Sequence, residues 1–147
     1  MRFRIAIAAA VASTLVVPLT SVEATAASPI RFSRVQYDSP GSDGGSNASL
    51  NAEWARVTNH GRKTRTLTGW TIRDPQGHVF KFPTFRLRAG KSVRLHTGRG
   101  ANTRTDLYWR QDNYVWNNTG DKAILRNKNK ATIDTCQWGD GAGSTAC

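Results

Sequence analysis

Apolar residues recur along most of this chain in short alternating runs, and turn-forming residues separate one run from the next. A period of two is the mark of strands half-buried in a sheet. Ile30, Phe32, Val35 and Tyr37 mark a first strand, with a change of face expected between Phe32 and Val35 because the spacing there is odd. Residues 38–47 form a polar loop rich in Gly and Ser. Ala55 and Val57 flank Arg56 in a second strand, which Asn59-His60-Gly61 ends. Leu67, Trp70 and Ile72 belong to a third, with Trp70 expected in the core and Gly69 leaving room for its ring. Asp74-Pro75-Gln76-Gly77 places Asp, Pro and Gly where a type I turn favours them. The third strand should therefore pair as a hairpin with residues 78–82. Phe85 and Leu87, then Val93 and Leu95, give two more strands around a turn at Ala89-Gly90. An aromatic stretch follows at Leu107, Tyr108, Trp109, Val115 and Trp116. Residues 122–126 and 131–137 form the last pair, and no segment has a convincing helical period. Seven to nine short strands in about 120 residues predict an all-β, immunoglobulin-like sandwich.

The N-terminus changes what counts as the domain. Arg2 and Arg4 precede an apolar run of 13 residues, 5–17, interrupted only by Ser13 and Thr14. Ala24-Thr25-Ala26 then offers small residues where a signal peptidase reads. A membrane span needs about 20 apolar residues, so residues 1–26 read as a secretory signal peptide and not as an anchor. The expected domain is 27–147, secreted, extracellular or associated with a cell wall. Cys136 and Cys147 are the two cysteines, and in an exported chain they are expected to pair. The bond would pin the C-terminal tail to the last strand and contribute about 2–3 kcal/mol.

Charge adds a candidate chemistry. Residues 27–147 carry 19 Lys and Arg against 9 Asp and Glu, a net +10. The excess sits in one stretch: residues 54–105 hold twelve basic residues and one acid, Asp74. Such a surplus attracts polyanions. If the apolar partners on each strand face inward, then Arg56, Arg73, Lys81, Arg86, Arg88 and Arg94 face solvent. Arginine suits phosphate because its planar fork donates two parallel hydrogen bonds. The six could form one basic field, or be solvated outward positions spread over two sheets. Tyr108, Trp109, Tyr114 and Trp116 beside Arg110 are the other candidate surface. Exposed, they could stack on bases or sugar rings; Trp116 reads as core, and Tyr108 and Trp109 fit either place.

Catalytic signals are missing. His60, His78 and His96 lack metal-ligand spacing, and neither a Gly-x-Ser-x-Gly elbow nor a His-Glu-x-x-His motif occurs. Asp38 and Asp43 flank a Gly/Ser loop, but two carboxylates are few for a calcium shell of 6–8 oxygens. Neither a metal nor a cofactor is expected.

Five motifs in order then resemble a known family. Glu53-Trp54-Ala55-Arg56-Val57-Thr58-Asn59 is similar to the second strand of lamin tail domains, and Leu67-Thr68-Gly69-Trp70 to their Leu-x-Gly-Trp segment. Phe82-Pro83 with Leu87-Arg88-Ala89-Gly90-Lys91-Ser92-Val93, Trp116-Asn117-Asn118-Thr119-Gly120-Asp121, and Ile133-Asp134 resemble later blocks. The resemblance spans about residues 29–138 and implies an immunoglobulin-like sandwich of the bacterial secreted type. It further implies an attachment or docking module and no enzyme. The expected function is binding of an anionic polymer, extracellular DNA or a cell-wall polymer. The alternative is a surface domain that contacts proteins and has no polyanion ligand.

Overall fold

The computed structural model describes residues 26–147, so the signal peptide expected over 1–26 lies outside the described residues except for Ala26. The chain runs β1 (Ile30–Gln36), α1 (Asn47–Ala52), β2 (Trp54–Asn59), β3 (Arg65–Thr66), β4 (Thr71–Arg73), β5 (Val79–Lys81) and β6 (Arg86–Leu87). It continues β7 (Ser92–His96), β8 (Asp106–Tyr108), β9 (Gly120–Arg126), β10 (Thr132–Gly139) and β11 (Ser144–Ala146). A five-stranded sheet has the order β11-β1-β2-β7-β8 and a four-stranded sheet the order β10-β9-β4-β5. β3 and β6 pair separately. This is the all-β sandwich that the alternation predicts, with nine strands of three or more residues and two dipeptide strands.

Each sheet turns one face inward. Ala55, Val57, Val93, Leu95 and Leu107 come from the five-stranded sheet, and Ile72, Phe80, Ala123 and Leu125 from the other. The change of face in β1 is a bulge between Phe32 and Arg34, which lets both Phe32 and Val35 point into the core. Across the middle runs a chain of rings: Phe82–Phe80–Trp109–Trp116–Trp138–Tyr37, with centroids 5.0–6.2 Å apart. Four of the five contacts are edge-to-face, the arrangement ring quadrupoles favour, and Tyr37 stacks flat on Trp138. Trp109 and Trp116 are thus core residues, whereas Trp70 is only partly buried against the core's edge.

Three local features differ from the sequence reading. Residues 47–52 form a short helix, capped by the Ser46 side chain accepting from Ser49 N–H. Only Leu50 of its six residues is buried, which is too little for a helical period to be read. Gly69, read as room for the Trp70 ring, instead has φ +77°, a turn conformation that favours glycine. The C-terminal tail is itself a strand. Cys136 on β10 bonds Cys147 just after β11, so the disulfide joins the outer strands of the two main sheets.

Candidate functional site

The outer face of the five-stranded sheet is ordered in rows, because residues in register on neighbouring strands point the same way. Arg34, Arg56 and Arg94 stand directly opposite one another across β1, β2 and β7, and Asp106 of β8 ends the row. Like charges in register are destabilising, by roughly 0.2–1 kcal/mol per pair, so this arrangement opposes folding. Each guanidinium is held by a neutral group. Arg34 donates to Ser144 Oγ (2.7 Å), Arg56 Nε to Ser33 Oγ (2.8 Å), and Arg94 lies over the Trp54 ring, 4.7 Å from its centroid. The three are positioned by neutral partners, none of which offsets their charge.

A second row lies two residues along: Gln36, Trp54, His96 and Tyr108. His96 Nδ1 donates to the Asn51 carbonyl (2.7 Å), and its Nε2 lies 2.9 Å from Asp106 Oδ1. Tyr108 stacks on His96 with centroids 5.1 Å apart. Partial burial works to raise the pKa of Asp106. Hydrogen bonds from Thr105 and His96 and the charges of His96 and Arg94 outweigh it and hold that carboxyl below the ordinary range.

Beside these rows lies a cleft of about 850 Å³, lined by Arg86, Arg88, Lys91 and Arg104 above Phe85, Leu87 and Leu107. Its lining includes hydroxyls but no acid. Ser92 and Thr105 also line a smaller depression with Arg56, Arg94 and Asp106, so the basic tract continues onto the sheet face. Asn59 holds one wall. Its buried amide donates to the carbonyls of Lys63 and Leu87, each at 2.9 Å.

The six cations singled out in the sequence divide among three sheets. Arg56 and Arg94 lie on the five-stranded sheet, Arg73 and Lys81 on the outer face of the four-stranded sheet, and Arg86 in β6 with Arg88 just beyond it. They do not make one field, because the chain passes from one main sheet to the other between β5 and β7. Arg34 was not among the six. It lies outside the basic segment, and only the register across β1 and β2 brings it to Arg56.

The acids are placed differently from the cations. Among the described residues three ion pairs form, His78–Asp74, His96–Asp106 and Arg99–Asp112, and none includes any of the six or Arg34. Glu53 is fully buried and accepts from Thr97 Oγ1 (2.6 Å), Val115 N–H (2.9 Å) and Trp116 N–H (3.3 Å). Burial pushes its pKa up to about 7 against these three hydrogen bonds. Buried Asp74 accepts from the amides of Gly77 and His78, and buried Asp121 from those of Asn117 and Lys122. Asp134 accepts from Phe32 N–H, across the two sheets.

Glu53 and Asn59 are the buried polar ends of Glu53-Trp54-Ala55-Arg56-Val57-Thr58-Asn59, so that motif fixes a strand together with the loops at both its ends. The family model for the lamin tail domain matches residues 23–140. The chain belongs to the lamin tail domain family. A search of curated proteins found none similar to it. Lamin tail domains are immunoglobulin-like and not enzymatic as a family, and the sandwich of this lamin tail domain fits that description. Among its described residues no Ser, Thr or Cys side chain hydrogen-bonds His78 or His96. No group of three or more His, Cys, Asp or Glu among them is placed to hold a metal ion.

Proposed function

We propose that this lamin tail domain is an exported, non-catalytic attachment module that binds anionic polymers, extracellular DNA or cell-wall polymer. The observation that carries the reading is the split between its charges. Six of the nine acids in residues 27–147 spend carboxylate oxygens on hydrogen bonds within the fold. The six candidate cations stay exposed or half-exposed and outside every ion pair among the described residues. Arg86, Arg88, Arg94 and Arg56 follow one tract from the cleft to the sheet face, and Arg73 and Lys81 supply a second patch on the opposite sheet. Export is supported by the leader-like N-terminus and by the Cys136–Cys147 bond, which persists in oxidising compartments.

Binding of purified protein to duplex DNA and to wall preparations, followed as salt rises from about 50 to 200 mM, tests the reading. Affinity should fall steeply, with log K linear in log salt. Arg86→Ala with Arg88→Ala should flatten the slope by about two, one for each phosphate no longer neutralised. Arg73→Ala with Lys81→Ala should flatten it less. Affinity indifferent to salt, or absent at the lowest salt, overturns the proposal.

A further inference from the structure

Resting on the polyanion reading, we propose that the outer face of the five-stranded sheet is a binding platform for single-stranded nucleic acid. The arginine row takes the phosphates and the aromatic row stacks on the bases.

Two parallel rows carry the proposal. Arg34, Arg56 and Arg94 lie in register on adjacent strands, and adjacent strands are about 4.8 Å apart. Three guanidinium groups therefore line about 10 Å of the sheet's width. They are positioned by Ser144, Ser33 and the Trp54 ring and neutralised by none of them. A row of like charges that opposes folding, yet is held in place by three separate devices, is a feature that function explains and stability does not.

The second row supplies flat surfaces. Trp54 and His96 are in register, as are His96 and Tyr108. The pairs Arg94 over Trp54 and Tyr108 on His96 make two stacks at this face, and both aromatic rings and guanidinium planes receive unstacked bases. The rows are two residues apart along each strand, about 7 Å, so one chain can follow the arginines while its rings lie over the aromatics. A duplex cannot use the second row, because its bases are already paired and stacked and show only their edges. A phosphate polymer without planar rings would leave the second row idle. Asp106 closes the arginine row, and its carboxylate is already taken up by His96 and Thr105. The strand therefore leaves the sheet face beside Thr105, where the cleft with Arg86 and Arg88 begins.

Fluorescence anisotropy with the full, purified chain tests this against four probes: a single-stranded oligonucleotide, its duplex, a base-free strand of the same charge, and inorganic polyphosphate. The single strand should bind about ten-fold or more tighter than the base-free strand, the difference one stacked base supplies. Trp54→Ala should remove most of that preference and, by releasing Arg94, lower polyphosphate affinity by a smaller factor, while Trp54→Phe keeps both. Should Trp54→Ala fail to fold, the comparison of the four probes on the parent protein still decides. Equal affinity for base-free and ordinary strands, or tighter binding of the duplex, overturns the platform and leaves the polyanion reading intact. Failure to bind any of the four removes both.

Discussion

The Glu53 carboxylate receives three hydrogen bonds and is closed off from water, and the two conditions pull its protonation in opposite directions. Burial dominates and raises the pKa from 4.5 to about 7. Between those values the folded state holds a proton that the unfolded state has released. The stabilising contribution is full below about 4.5 and is lost as pH rises through about 7. Over that window the loss is of the order of 3 kcal/mol. Chemical denaturation at pH 5, 6, 7 and 8 should show stability falling across the range. In Glu53→Gln, which keeps one acceptor oxygen for the Val115 amide and cannot titrate, that limb should flatten. The gap between variant and parent then narrows or reverses by pH 8. A parent profile that rises from pH 5 to 8 would refute this account of the site.

At the scale of elements, β11 depends on its covalent link. It meets β1 through three residue pairs, Arg34↔Ala146, Val35↔Thr145 and Gln36↔Ser144, and among the described residues no strand pairs with its other side. Replacing both cysteines with serine should cost about 2–3 kcal/mol. Amide exchange should accelerate first at residues 144–146 and at Tyr37, whose N–H donates to the Gly143 carbonyl at 2.9 Å. Unchanged exchange in that segment would show that the strand holds without its bond. The alternation at Ala55/Val57 and Val93/Leu95, the odd spacing in β1 and the turn residues at 74–77 made the two sheets legible, since each is a local signal. Helix α1 and strand β11 were not legible, because one has a single buried residue and the other owes its place to residues 30–36, more than a hundred positions earlier. The site was legible in part. The outward positions of Arg56 and Arg94 follow from period two, whereas their alignment with Arg34 depends on strand order and register, which no local pattern encodes. The splitting of Arg73 and Lys81 from the rest likewise follows from the crossing between sheets.

The molecule as a whole has cations on both outer faces and turns many of its carboxylates inward, so its surface is more positive than a net charge of +10 over residues 27–147 conveys. Such self-repulsion weakens the compact state, and an anion that binds the folded form should relieve it. At ten times its dissociation constant, phosphate or sulfate should raise the melting temperature by about 6 °C. Chloride at equal ionic strength should do less. Equal shifts from all three salts would mean general screening without a bound ion.

The chain of buried rings also has a practical consequence. Trp109, Trp116 and Trp138 are shut in the interior and should contribute a steady blue-shifted emission, whereas Trp54 lies at the surface beneath a guanidinium. Iodide, drawn to the arginines beside it, should quench Trp54 together with half-buried Trp70 and leave the interior signal untouched, and in Trp70→Phe the quenched component is Trp54 alone. The protein thus carries an intrinsic optical reporter at the face where we place its ligand.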